Sequence, residues 1–170
     1  ERPGYLRLRT GRVSESILDA QNTLTQRTFG PECSGSVALD ISNMNAGDYA
    51  GLAALQKNYG FVGVKMTDST KSIVMVDASP GKPVEVESVP VTQEEIYLKI
   101  ECDFREQKDE AYFYYSLDGE EWIAIGSPLK MSYTLPHFMG YRFALFNFAT
   151  KSIGGYVDFD YFKIGDRIRK

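Results

Sequence analysis

The run ECDFRE, from Glu101 to Glu106, places two carboxyl groups two residues apart and a third three residues further on. In an extended strand, residues two apart share a face, so Glu101 and Asp103 would project side by side. Two carboxyls ~5–5.5 Å apart are the machinery of a retaining glycosidase, one as acid/base and the other as nucleophile. The segment 105–110 is polar throughout and reads as a hairpin connection, which would carry Glu106 off the strand. His137 is the only histidine; it lies in Leu135-Pro136-His137-Phe138, and no catalytic set assembles around it. Cys33 and Cys102 are too few for a disulfide framework and lack metal-knuckle spacing. They read as two buried thiols or as a bridge between neighbouring strands.

A second chemistry is available to the aromatic residues. Eleven Tyr and ten Phe raise the aromatic share to 13 %, against one Trp. Sugars present apolar C–H faces rimmed by hydroxyls, so their sites pair aromatic platforms with amide, Arg or carboxylate groups. Phe29, Tyr59, Phe61, Tyr97, Tyr112 and Tyr114 are the candidate platforms, with Gln26, Arg27 and Gln56 as hydrogen-bonding partners. The competing role for each is core packing. Gly30 and Pro31 end the strand that carries Phe29, so this ring stands at a rim or caps the core. Trp122 follows a Ser116-Leu117-Asp118-Gly119 hairpin turn, which predicts a structural ring buried against the sheet. Its truncation would then cost about 3–5 kcal/mol.

Positioning these groups falls to strands. Candidate strands cover 5–9, 24–28, 36–41, 50–56, 61–66, 72–76, 84–87, 96–103, 111–116, 122–125, 141–148 and 155–164. Turn clusters separate them: Asn45-Ala46-Gly47-Asp48, Asn58-Tyr59-Gly60, Ser79-Pro80-Gly81 and Asp118-Gly119. Short helical turns are expected at 15–21 and 93–95. In IYLKIECD, alternation sends Ile96, Leu98, Ile100 and Cys102 inward, and Tyr97, Lys99, Glu101 and Asp103 outward. In FVGVKM, Val62, Val64 and Met66 share one face, and Phe61, Gly63 and Lys65 the other. In AYFYYS both faces are aromatic and the phase is unreadable, which suggests an outer face that is covered or used. The expected fold is all-β: one antiparallel two-sheet sandwich over residues 1–170.

The balance of charge bounds the partners. A formal net charge of −4 opposes a nucleic-acid partner, which requires a basic surface. No stretch approaches the ~20 apolar residues that span a bilayer. The opening ERPGYLRLRT carries charges where a signal peptide would be apolar, so secreted and cytoplasmic locations both stay open.

Four runs are familiar in order and spacing: LTQRTFGPECSGSVALDIS, YAGLAALQKNYGFVGVKM, EAYFYYSLDGEEWIAIG and MGYRFALFNFATKSIGGYVDFDYFKI. Together, over residues 12–164, they resemble the C-terminal β-sandwich of glycoside hydrolase family 43 β-xylosidases and arabinofuranosidases. That resemblance implies a concanavalin A-like jelly roll. It also implies a non-catalytic, xylan-binding or accessory module of a plant cell-wall-degrading enzyme, akin to carbohydrate-binding module family 91. In intact xylosidases such a sandwich can lean over the catalytic propeller and lend its pocket a loop aromatic. Here TFGP follows the Gln26-Arg27 pair, a departure from many xylosidases at that loop. The carbohydrate contacts expected from the residues themselves are Gln26, Arg27, Phe29, Tyr59, Phe61, Tyr97 and Tyr114. The implied partners are xylan or a related hemicellulose and the parent's catalytic domain.

Two alternatives accompany this reading. ECDFRE also matches the E-x-D-x-x-E spacing of family 16 glucanases, which share the concanavalin-like fold, although the apolar residues usual around that motif are missing. A purely structural domain packing on a catalytic propeller is the other. No cofactor is required. A structural Ca²⁺ on Asp158 or Asp160, joined by Glu1, Glu15 or Asp19, would use oxygen ligands of the right kind. Surface carboxylates or turn caps explain the same residues. Arg167, Arg169 and Lys170 read as a solvated basic tail.

Overall fold

The computed structural model of the chain describes residues 2–79, 81–132 and 140–169. Glu1, Pro80, the segment 133–139 with His137, and Lys170 lie outside the described residues, as do the readings placed on them.

Thirteen strands form among the described residues: β1 (Leu6–Arg9), β2 (Leu24–Arg27), β3 (Glu32–Asp40), β4 (Asp48–Leu55), β5 (Gly60–Met66), β6 (Lys71–Asp77), β7 (Val84–Val91), β8 (Glu95–Asp103), β9 (Glu110–Ser116), β10 (Ile123–Ala124), β11 (Leu129–Lys130), β12 (Arg142–Ala149) and β13 (Tyr156–Gly165). One sheet has the order β1-β13-β3-β8-β9-β10, with β11 also pairing β9; the other has β2-β12-β4-β5-β6-β7. Every named pairing is antiparallel. The expected two-sheet, concanavalin A-like sandwich is the observed fold.

Alternation explains how the layers meet. Ile96, Leu98, Ile100 and Cys102 of β8 are fully buried against Leu52 of β4, Val62 and Val64 of β5, Met75 of β6 and Phe143 of β12, in one continuous core. Each such apolar side chain contributes roughly 1.5–3 kcal/mol on burial. Phe143 fits because Gly35 faces it: a Cβ at Gly35 would lie 3.1 Å from the ring. Cys33 and Cys102 stand directly opposite each other in the β3–β8 ladder, as two free, fully buried thiols.

Several boundaries differ from the sequence expectation. β3 begins at Glu32 and not at 36, because Pro31 and Gly35 masked the start of the run. β7 continues through Pro90 to Val91. As an edge strand it has no outer ladder to lose, and its exposed Glu85 and Glu87 discourage pairing with another chain. The turn expected at 15–21 is a 3-10 turn at Ile17–Asp19 only; 93–95 is not helical and leads into β8. A second 3-10 turn, Arg105–Gln107, and the two-residue β11 were not anticipated. No helix among the described residues is long and apolar enough to cross a membrane.

Candidate functional site

The seven sugar-contact candidates fall in three separate places. The first is the end of edge strand β2. Gln26 and Arg27 are exposed there, paired with Phe143 and Arg142 of β12. The Thr28 hydroxyl donates to Tyr141 O at 2.7 Å and fixes where the strand stops. Phe29 follows with 42 % of its surface exposed. It lines a cleft of about 360 Å³ with Thr28, Gly30, Phe104, Met131 and Tyr141. The β4–β5 turn reaches the same rim through Asn58, whose side-chain amide donates to Ser132 Oγ at 3.3 Å.

Tyr59 does not join Phe29. Its ring turns onto the outer face of the six-stranded sheet, where Tyr59 and Phe61 are each only 3 % exposed. There they form a second apolar cluster with Phe146, Phe148, Val74, Val76 and Ile17 of the first 3-10 turn. Tyr49 and Phe148 stack with centroids 5.2 Å apart, and Phe61 meets Phe146 edge-on at 4.9 Å. Gly51 and Gly63 face each other across β4 and β5; a Cβ at Gly63 would lie 2.5 Å from Ala50 O and 3.3 Å from the Phe146 ring. These glycines let the rings lie flat on the sheet. Glu15, Ser16, Glu85 and Thr150 rim a cavity of about 170 Å³ over Tyr49, Tyr59, Phe61 and Phe148. Sequence reasoning missed Tyr49 and Phe148. The signal was the spacing of Phe146 and Phe148 in β12, which sets both rings on one face.

The third place is the outer face of the seven-stranded sheet. Tyr97, Lys99 and Glu101 of β8 line up beside Ser116, Tyr114 and Tyr112 of β9. Tyr97 is occupied locally: its hydroxyl donates to Glu95, and a Cβ at Gly119 would lie 3.1 Å from its ring. That bond and burial push the Tyr97 phenol up to about 12. The unreadable phase of AYFYYS resolves here, with Ala111, Phe113 and Tyr115 inward and Tyr112 and Tyr114 outward.

Trp122 corrects an expectation. It is half-buried and lies over this outer face instead of inside the sandwich. The Lys99 ammonium sits 4.2 Å from its ring centroid, a cation–π contact. The chain after β13 crosses the same face: Arg169 N–H donates to Glu101 Oε2 at 3.2 Å, and its guanidinium donates to Trp122 O at 3.4 Å. A ring that retains solvent contact forfeits less on truncation. Trp122→Ala is therefore expected to cost about 1–2 kcal/mol in thermal unfolding, not the 3–5 of an enclosed aromatic.

The carboxyl pair is engaged on all sides. Asp103 accepts from Arg105 Nε and Nη2 at 2.8 Å each and from Arg105 N at 3.1 Å, with Lys108 Nζ at 3.4 Å. The Arg105 guanidinium holds the Asp103 carboxyl well below the usual carboxylate range. Glu101 pairs with Lys99 Nζ at 3.6 Å and is 3 % exposed. Glu106 lies in the 3-10 turn with φ of 52°, off the strand as expected. Asp158 accepts from Arg7 with both oxygens, at 2.7 and 2.8 Å, so its charge is already paired. No group of three His, Cys, Asp or Glu able to hold a metal occurs among the described residues.

Comparison with known proteins places this geometry. The profile of the β-xylosidase C-terminal concanavalin A-like domain matches residues 1–165. A bifunctional GH43-CE protein of Bacteroides eggerthii is 62 % identical, superimposes with a TM-score of 0.97, and is covered over 99 % of this chain and 22 % of its own. A GH43 glycoside hydrolase, engineered to display both endo-xylanase and exo-arabinofuranosidase activity, is 33 % identical, with a TM-score of 0.90 over 96 % of this chain and 34 % of its own. A xylan β-1,4-xylosidase of Bacillus halodurans shares the fold at 22 % identity, with a TM-score of 0.80 over 97 % of this chain and 33 % of its own. The chain thus spans about a fifth to a third of the length of these proteins. No curated protein matches it.

Proposed function

Because the chain belongs to the concanavalin A-like C-terminal domains of family 43 β-xylosidases, we propose that it is a non-catalytic module of a xylan-degrading enzyme, meeting sugar at the Phe29 rim. The observation that carries the non-catalytic part is the state of the carboxyl pair. A glycosidase acid needs a raised pKa and access to the substrate. Asp103 lies beneath Arg105 and Lys108 with its pKa depressed, and Glu101 lies beneath the C-terminal tail. Both arrangements disfavour delivery of a proton to a glycosidic oxygen by this pair, which supports the non-catalytic reading over the family 16 glucanase one.

The binding part rests on Phe29, the one candidate ring with substantial exposure, and on the exposed Gln26 and Arg27 beside it. A rim ring flanked by long hydrogen-bonding groups suits a xylan chain running between this module and a catalytic domain. The engineered endo-xylanase and arabinofuranosidase relative supports a hemicellulose-degrading parent. A second reading, a structural domain that only packs on its catalytic partner, is favoured by the burial of Tyr59 and Phe61.

Phe29→Ala separates the two. At 42 % exposure its loss should change stability by less than about 1 kcal/mol. Xylan retention of the chain, or turnover of an enzyme carrying it, should fall several-fold. A melting point lowered in step with binding would show that Phe29 merely caps the core. An unchanged melting point with unchanged retention and turnover would remove residues 26–31 from the site.

A further inference from the structure

The turn between β8 and β9 ends on the wall of the Phe29 cleft, and its backbone is strained. Glu106, Gln107 and Asp109 are all left-handed, with φ of 52°, 60° and 46°. Residues with side chains avoid this region and keep it only where their surroundings fix it. Here they do. The Arg105 guanidinium is forked on Asp103, and Lys108 N–H donates to Arg105 O at 2.9 Å. From the other side, Lys130 Nζ donates to Lys108 O, and Met131 N–H donates to Asp109 O at 2.7 Å. Lys130 belongs to β11, which pairs with β9 immediately after the turn.

The braced turn sets one side chain in the cleft. Asp109 is half-buried and lines it. The other polar side chains of the lining are engaged or enclosed: Thr28 donates to Tyr141 O, Ser132 Oγ accepts from Asn58, and the Tyr141 hydroxyl is sealed from solvent. Asp103 and Glu110 on the same hairpin are engaged too, by Arg105 and by the Tyr112 hydroxyl. The Asp109 carboxylate has no hydrogen bond or ion pair among the described residues. Phe29, Phe104 and Met131 supply apolar walls. A single unengaged carboxylate thus stands in an apolar cleft of about 360 Å³, a size at which small-ligand sites occur.

We propose that Asp109 selects a xylosyl residue whose ring hydroxyls O2 and O3 are both free, an assignment that rests on the sugar-binding reading of the Phe29 rim. A carboxylate only accepts, and its two oxygens match two adjacent hydroxyls. Hydrogen bonds to a charged acceptor are shorter and stronger than neutral ones. The C–H face of the same ring meets Phe29. A substituent on O2 or O3 removes a donor and brings bulk against Asp109, leaving the carboxylate desolvated and unpaired. The cleft therefore takes undecorated stretches of xylan and rejects decorated ones. The strained turn holds the carboxylate in place beforehand, so little order is lost on binding.

The test is a nuclear magnetic resonance titration of the ¹⁵N-labelled chain with xylohexaose, and with xylohexaose acetylated at O2 and O3. Xylohexaose is expected to give saturable shifts in residues 28–30, 104, 109 and 131, and the acetylated form to bind at least tenfold more weakly. Asp109→Gly removes the carboxylate and accepts the left-handed backbone without strain. It should weaken xylohexaose at least tenfold with little change in melting temperature. Asp109→Asn also tolerates this conformation and keeps one acceptor oxygen, so it should weaken binding less than Asp109→Gly. Parent-like binding by Asp109→Gly, or equal binding of the acetylated form, would overturn the proposal. If Phe29→Ala abolishes the shifts and Asp109→Gly leaves them intact, this inference fails and the rim reading stands. Absence of saturable shifts in the parent would overturn both.

Discussion

Phe146→Ala is expected to destabilise the chain by about 3–5 kcal/mol, a fall in melting temperature of roughly 6–20 °C for a protein of this size. Phe146 is fully buried, yet it is not part of the sandwich core. It lies on the outer face of the six-stranded sheet, where Phe61 meets it edge-on and the backbone of Gly63 passes beneath. Residues of the first 3-10 turn close over the same cluster through Ile17. Truncation would open a cavity that neither the sheet nor the short turn can collapse to fill. The expected loss matches that of a core phenylalanine because both faces of this sheet are sealed. Thermal unfolding followed by circular dichroism measures it. A loss below about 1 kcal/mol would mean that this face is open to solvent and that its aromatics are available as platforms.

Asp48→Asn is expected to act in the opposite direction at neutral pH. Asp48 is fully buried at the start of β4, where Oδ2 accepts from Asn45 N at 2.8 Å and Oδ1 has no hydrogen-bond partner among the described residues. Gly155 packs so closely that a Cβ there would fall on Asp48 Oδ2. Burial pushes this carboxyl up to about 6, whereas the unfolded value is near 4. The folded chain therefore keeps a proton that the unfolded chain releases as pH rises. The resulting penalty is absent below about pH 4, grows up to about pH 6 and is complete above it. Asp103 and Asp40, whose carboxyls are depressed, contribute stability above about pH 4 that is lost as pH falls below it. The parent should thus be most stable near pH 4. Asparagine carries no charge and keeps an oxygen for Asn45. It should add about 1–3 kcal/mol at pH 7 and flatten the profile between pH 4 and 6. Parallel pH profiles for parent and variant would show that Asp48 is not the group responsible.

The strands were legible where one face alone is apolar. IYLKIECD showed its inward and outward sides directly, and FVGVKM placed Val62 and Val64 inward in the same way. Legibility failed where both faces are covered. Tyr112 and Tyr114 look inward-facing by type, but on the outer face they meet charged neighbours: Tyr112 donates to Glu110 and lies under Lys108, and Tyr114 lies under Lys99. The strand starts hidden by Pro31 and Gly35 reflect needs of packing, since Gly35 makes room for Phe143. The candidate sites were less visible still. Phe29 could be placed at a rim because Gly30 and Pro31 follow it. Tyr49 and Phe148 stack because β4 and β12 pair in one register, and no local pattern encodes that pairing.

Affinity electrophoresis of the chain in gels containing xylan, arabinoxylan, xyloglucan or mixed-linkage β-glucan, with reducing ends assayed in the same lanes, tests the central claim most directly. A module that binds xylan without cleaving it should be retarded by xylan or arabinoxylan, should lose that retardation in Phe29→Ala, and should release no reducing sugar. Unretarded migration in every gel would contradict binding and leave only the packing role, while reducing sugar lost on Glu101→Gln would contradict the non-catalytic assignment outright.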